Sequence, residues 1–472
     1  MKINQSLTAR KRGFTYAAVV ITLIIVGGTL ASYLHLVAHQ NQQTMRSQAW
    51  NRTVAVIEAG IEEALAHLNG NAAPDEFGAF NLANMATDGW MDNGAGGWTK
   101  TNWIGDDYYG VTITQFAPGN QPGNYYPFIS AEGYVKQLPT LASRSLIGPF
   151  LAVAGDDALS DGNIYVKREV LCTTTNVPAF SKGLIAKDSI DLGGNNIRTD
   201  SYDSRYPEWS DNGRYPKNDP NKQRDNGDIG CNGLVIDIGN AEIYGRAKTG
   251  PGGAVYFNPN GAVGDKAWHA AGNSGIKDGW FSDDMNVELP DIVPPFSAGL
   301  PLPGNLLNET LPNGNRADQV LPDGQYWTGT LNGKILVTGH AKLLVNSSIN
   351  LTGNDGIWIQ PGASLRLYMD GPTASIGGNG VVNAGVATNF FYFGTKRNSA
   401  IALGGNGEFT GIMYAPSATF TGDGGGSGTM DFCGSAVFKS VKMNGHYNFH
   451  YDEALPTVGA YRGYVITSWN EK

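Results

Sequence analysis

From Phe14 to Ala38 the chain runs for 25 residues without a charged side chain, directly after Lys11-Arg12-Gly13. A helix needs about 20 apolar residues to cross a hydrocarbon core, so this stretch is long enough to span a membrane. The residues before it include Lys2, Arg10, Lys11 and Arg12 and no acid. A basic flank holds the N-terminus in the cytoplasm, which puts the rest of the chain on the outer side of the inner membrane. A secretory leader has an apolar stretch of only about 7–15 residues and then a small-residue cleavage site. This segment has neither feature.

No breaker separates that stretch from the next, QTMRSQAWNRTVAVIEAGIEEALAHLN. Trp50, Val54, Ile57, Ile61, Leu65 and Leu68 recur there at three- and four-residue steps, which predicts one apolar helix face. Asn69-Gly70-Asn71 is a stop signal. One helix over residues 14–69 would be about 84 Å long at about 1.5 Å per residue. Its first half would sit in lipid and its second in water.

A basic leader, Gly13 and then Phe14-Thr15 opening a long apolar helix resembles the class III signal of type IV prepilins. The run from Ile57 to Leu65 (IEAGIEEAL) is similar to the N-terminal region of PilX-type minor pilins. The resemblance implies cleavage after Gly13 by a prepilin peptidase, methylation of Phe14, and a leader marked by the charges of Lys11 and Arg12. It further implies that the Phe14–Val37 face packs with other pilin-like subunits, and that pilus assembly machinery handles the chain. The fifth residue after the cut is usually glutamate in that family and is Ala18 in this chain. A tip subunit or an uncleaved membrane anchor tolerates alanine there better than a subunit inside a filament shaft. The plain alternative is an ordinary signal anchor.

Glycine, at 64 residues, is about twice its usual share, and charged residues, at 16%, fall well below the usual quarter. With frequent Asn-Gly and Asp-Gly pairs, this composition reads as β-structure with many tight turns. Net charge is -9 and the bases are scattered, so nothing suits a nucleic-acid partner. Three cysteines allow at most one bridge within the chain, with Cys172 and Cys231 a possible pair. Cys433 lies in an apolar run and reads as a buried small hydrophobe.

The fold class expected is mainly β: a long N-terminal transmembrane α-helix, a small β-meander, then an irregular β-solenoid resembling a parallel β-helix. Residues 1–13 are the leader, 14–69 the helix and 70–107 an irregular connector. Strand-like runs at 109–116, 126–135, 145–153 and 164–173 make residues 108–179 the meander. Residues 180–455 carry short alternating strands that end repeatedly in Gly-Gly-Asn, at 193–195, 377–379 and 404–406. Such punctuation suits stacked coils, with an antiparallel sandwich as the alternative. Polar residues 203–228 and proline-bearing residues 258–325 read as excursions, since prolines at that density do not sit inside a sheet. Residues 456–472 read as a tail. Thr199–Ser204, Gly411–Pro416 and Phe449–Leu455 resemble motifs of β-helical domains attached to bacterial pilin-like helices.

The excursions hold aromatics that are candidate ligand contacts: Tyr206, Trp209, Trp268, Trp280 and Phe281. His446, His450 and Asp452 would share one strand face and form a weak candidate metal set. The alternative is that they cap the last coil through hydrogen bonds. No cofactor is implied. Glycine-rich turns lack the repeated aspartates of calcium-binding repeats, and positive φ explains the glycines better. Glycosidase chemistry needs two carboxylates across a cleft, and no strand pairs two acids on one face. Neither a G-x-S-x-G elbow nor a phosphate loop is present. The function expected is structural or adhesive and not enzymatic, as a minor or tip subunit of a type IV pilus-like or type II secretion-like assembly. Surface glycans are an expected partner beside the inner membrane. The alternative is a membrane-anchored β-helical protein that binds or degrades polysaccharide.

Overall fold

The computed structural model describes residues 7–70, 83–114, 127–136, 165–178, 180–194, 196–405, 409–424, 430–458 and 461–472. The run expected as a strand over 145–153 lies outside these. The chain is mainly β behind one long apolar helix. That helix, α1 (Leu7–Gly70), is about 96 Å long at about 1.5 Å per residue. It begins inside the expected leader and runs through Gly13 without a break. From Thr15 to Gln48 none of its side chains is buried, and the apolar part is long and hydropathic enough to cross a membrane.

Beyond Gln48 the helix buries a stripe at three- and four-residue steps: Ala49, Thr53, Val56, Ile57, Gly60, Ile61, Ala64 and Leu68. Ile57, Ile61 and Leu68 lie where the periodicity put them. Val54 and Leu65 are half-buried, and Trp50 is 46% exposed at the edge, under the Arg168 guanidinium 5.0 Å away. The partner explains this shift. A sheet approaches so closely that its centre takes small residues, and the large indole is displaced sideways.

That sheet is antiparallel, in the order Met91–Asp92, Gly97–Ile104, Asp107–Thr114, Phe128–Lys136, Tyr165–Pro178 and Tyr461–Glu471. Alternate residues face α1: Tyr109, Val111 and Ile113, then Ile129, Ala131 and Val135, then Val170 and Cys172. Two expectations change. Gly97–Ile104, placed in the connector, is a full strand of this sheet. Residues 461–471, expected as tail, form its last strand beside Tyr165–Pro178.

Glycine permits the close docking. A Cβ on Gly133 would lie 2.8 Å from Ile57 Cγ1 and 2.9 Å from the Thr53 carbonyl oxygen. Gly133→Val is therefore expected to pry helix from sheet and to cost about 1–3 kcal/mol, the usual range for overpacking. Hydrogen exchange would show it as faster amide exchange over residues 49–68.

Every named strand pair in the second, larger sheet is parallel, which an antiparallel sandwich would not give. Its paired residues line up in three apolar columns. The first runs Tyr326, Leu343, Leu367, Tyr392, Met413, Ala436, Leu184, Ile229, Ala247 and Phe281. The second passes through Ile335, Ile357, Val381, Phe409, Phe432, Phe449, Thr199, Ile243, Val263 and Ile276. Leu331, Ile349, Ala374, Ile401, Phe420, Val441, Ile190, Ile236 and Val255 make the third. Apart from Thr199, the residues of these columns belong to, or pack against, one continuous core, which Leu321 also joins.

The order in these columns is not chain order. The chain enters at Leu184 in the middle, stacks outward to Ser282 at one end, then crosses to the far end. From there it stacks back until Met430–Met443 lies against Leu184–Asp191, and Tyr447–Asp452 against Ile197–Tyr202. A seam thus joins the first and last parallel strands. Both chain ends of the parallel region emerge there, so strands Tyr165–Pro178 and Tyr461–Glu471 can pair.

Residues 283–299 make the crossing. Ten strand steps separate Phe281 from Leu300, about 48 Å at about 4.8 Å each. Seventeen residues reach about 56 Å only when almost extended. Pro290, Pro294 and Pro295 suit such a strap. It buries Met285 and Ile292 against outward-facing aromatics, among them Tyr368, Phe391, Phe393 and Tyr414. The Tyr414 hydroxyl donates to the Pro290 carbonyl oxygen at 2.8 Å, and Asn232 bonds both backbone groups of Val287. The remainder of the expected 258–325 excursion is partly in the sheet, through Ala262–Gly264, Gly275–Ile276, Phe281–Ser282, Leu300–Pro301 and Gln319–Leu321.

None of the three cysteines is in a disulfide, and all three are buried. Cys172 belongs to the core beneath α1 and Cys231 to the parallel core, so the possible bridge between them is not formed.

Candidate functional site

The 203–228 excursion is a turn-rich flap over the seam, and it closes a buried polar cluster. In the parallel register Cys433, His450 and Asp200 are direct neighbours, as are Asp431, Asn448 and Arg198. These residues alternate with the inward Phe432, Phe449 and Thr199, so they project outward beneath the flap. His450 Nδ1 lies 2.5 Å from Asp200 Oδ1, and its Nε2 lies 3.4 Å from Asp431 Oδ1. Tyr215 comes down from the flap, stacks on the imidazole at 3.4 Å and donates its hydroxyl to Asp200 Oδ2 at 2.8 Å. Lys217 pairs with Asp431, and Arg198 Nε reaches Asp200 Oδ2 at 3.2 Å.

Burial alone would neutralise His450, but the two carboxylates, Asp200 first, outweigh it and raise its pKa. Asp431 is likewise pushed up by burial and pulled further down by His450 and Lys217, ending well below the usual carboxylate range. Both imidazole nitrogens face carboxylate oxygens, an arrangement that favours the protonated, doubly donating ring. A ring in that state offers no lone pair to a metal. Asp452 Oδ1 instead accepts from the Ser204 and Ala454 amides, and burial raises its pKa. His446 stands in the turn before the strand with φ 49°. The three candidate ligands thus have separate roles. Among the described residues no group of His, Cys, Asp and Glu is arranged to hold a metal ion.

Sequence reasoning found His450 but not its partners. Asp200 and Asp431 lie 250 and 19 positions away and meet it only through strand register. Cys433, expected as a buried small hydrophobe, is buried, but in this outward polar row.

The candidate aromatics fall into two groups. On the flap, Tyr206 carries Arg205 5.3 Å above its ring and Trp209 carries Arg224 at 4.9 Å. Arg224 and Arg205 are themselves tied to Glu453 and Asp203. At the end of the stack, Trp280 is covered by Arg246 at 4.9 Å and Lys277 at 5.3 Å. Trp280 and Phe281 pack on the core. Trp268 sits on Gly264, where a Cβ would come within 2.6 Å of the indole. Its short helix, Lys266–Ala270, is capped by Asp265. Most of these ring faces are therefore occupied by the protein's own cations or backbone.

Lys11, Arg12, Gly13 and Phe14 share the helical backbone of α1, and their side chains lie outside the described residues.

Residues 305–458 match a family described as a domain of unknown function (DUF7305). No curated protein matches the chain. The crystal structure of competence-associated pilin ComZ from Thermus thermophilus aligns over 89% of this chain and 96% of its own. The two are 10% identical with a TM-score of 0.28, too low to argue a common fold.

Proposed function

We propose that this chain is a pilin-like envelope protein, a minor or tip subunit of a type IV pilus-like or type II secretion-like assembly. Its α1 would anchor in the inner membrane and its β-rich body would be displayed outside. The observation that carries this reading is one continuous helix with two environments. Its apolar half follows Arg12-Gly13 and has no buried side chain, and its second half packs on an antiparallel sheet. In this reading the head comprises α1 from Ala49 and the six antiparallel strands. The three parallel columns are the inward faces of a β-solenoid inserted between the head's last two strands. Gly13 and Phe14 are the processing site, and Lys11 and Arg12 are its basic flank. The partners are a prepilin peptidase, assembly machinery and other pilin-like subunits along Phe14–Val37. Ala18 favours a place at the tip.

The direct test is mass spectrometry of the protein from its native membrane. An N-terminal, methylated Phe14 is expected, and Gly13→Glu should leave the leader attached while insertion proceeds. An intact Met1 in the wild-type protein would replace the pilin reading with a plain anchor.

A further inference from the structure

The strap follows the wall as far as Ile292, lifts at Val293, which is 78% exposed, and touches the wall again at Phe296. A groove of about 670 Å³ opens between this lifted part and the wall, within the roughly 300–1,000 Å³ usual for ligand sites. One side is apolar: Pro294, Pro295 and Phe296, the last held edge-on against Tyr368 at 6.0 Å. The other side is a polar row. Val345 pairs with Met369 and Met369 with Gly394, so the following residues Asn346, Asp370 and Thr395 stand beside one another; Asn346 and Asp370 line the groove with Arg397, while Thr395 is buried. Strand spacing puts them about 4.8 Å apart.

The row is already organised. Asp370 accepts the Thr395 hydroxyl at 2.8 Å and Arg397 Nη1 at 3.1 Å, which fixes the carboxylate and leaves lone pairs open. Asn346, half-buried, has no side-chain hydrogen bond among the described residues, so its amide offers two donors and an acceptor to the groove. Asp370 and Arg397 cancel each other's charge. An anion would meet the carboxylate and a cation the guanidinium, and neither fits better than a neutral molecule. An amide, a carboxylate and a guanidinium opposite an apolar wall suit adjacent hydroxyls on one face of a ligand and C–H groups on its other face.

We propose that this groove binds a neutral oligosaccharide. The site rests on the surface-display part of the function proposed above, but not on processing or assembly.

The test uses the full chain in detergent micelles on a printed array of neutral and acidic oligosaccharides, followed by titration with the best neutral hit. Retention of at least one neutral glycan is expected. Asn346→Ala and Arg397→Ala should each weaken it about tenfold, as loss of a charge-assisted or otherwise unmatched polar contact does. Trp103→Ala, at an exposed position of the antiparallel sheet, should leave it unchanged, and all three variants should keep the wild-type circular dichroism. Retention of acidic glycans only, no retention at all, or full affinity in both groove variants would overturn the proposal. Glycan binding by a protein that keeps Met1 would separate the two readings, upholding the groove while the pilin assignment fell.

Discussion

His450→Gln is expected to cost about 3–5 kcal/mol, the range seen when one member of a buried ionic group is removed. The imidazole is 2% exposed, between Asp200 at 0% and Asp431 at 5%. Glutamine would leave two buried carboxylates with no cation between them, held by Arg198 and Lys217 at the rim and by the Tyr215 and Asn448 donors. The loss should fall at the seam, since His450 joins the first and last parallel strands. The sign of the pH dependence follows from the raised pKa of His450 and the lowered pKa of Asp431. Stabilisation by protonated His450 is complete below its unfolded pKa, about 6.5, and fades as pH rises through the raised folded value. Stabilisation by ionised Asp431 is present above its unfolded pKa, about 3.9, and fades as pH falls toward the depressed value. Wild-type resistance to urea should therefore be highest in mildly acidic buffer and decline toward alkaline pH. In His450→Gln the alkaline decline should shrink to the smaller part that the buried Cys172 and Cys231 thiols, pushed up by burial to about 11, contribute near pH 9. Urea midpoints of both proteins at pH 6 and pH 9 decide the matter. An equal alkaline loss in the two would mean that the seam does not depend on the charged imidazole.

The seam also marks where sequence reading stops. Strands such as Leu184–Asp191 and Ala400–Gly405 are legible because alternation and Gly-Gly-Asn turns are local signals. Proline spacing likewise marked Pro290, Pro294 and Pro295 as lying outside a sheet, although Pro301 pairs with Trp327 at the sheet's end. The order of stacking is not local. Leu184 meets Ala436 across some 250 residues, and no period in the chain records it. The same limit hid the partners of His450, which are chosen by register between distant strands. On α1 the apolar spacing was right, but the exact face depended on glycines in the opposing sheet, which no helical periodicity can report. The flap aromatics were visible as unusual residues on loops. That the faces of Tyr206 and Trp209 are taken by Arg205 and Arg224 is a fact of the folded chain.

Deleting residues 461–472 should unfold the head and spare the parallel region, although the cut lies more than 300 residues from most of the head. Residues 461–471 hold much alternation (Tyr464, Ile466, Ser468 against Val465, Thr467, Trp469), but their partner strand begins at Tyr165, so the segment reads as a tail. In the fold it closes the sheet. Tyr464 is 5% exposed in the core beneath α1, and Ile466 packs beside it. Asn69, at the end of α1, clamps the Tyr464 backbone, accepting its amide at 2.6 Å and donating to its carbonyl at 3.3 Å. Arg168 pairs with Glu471, and Lys472 with Glu169 at 2.9 Å. Burying side chains of this size is worth about 1.5–3 kcal/mol each. Losing two of them, the clamp and a strand ladder approaches the whole stability of a small domain, about 5–15 kcal/mol. The deletion also bares Tyr165–Pro178 as a long free edge, which invites pairing between molecules. Hydrogen exchange read by mass spectrometry should lose protection over 49–68, 107–114 and 128–136, while 340–376 keeps it, since those strands belong to the parallel region, which closes on itself at the His450 seam without help from residues 461–472. Loss of protection in 340–376 with the head intact would reverse the order of dependence and break the claim that the parallel region is a self-closed insertion.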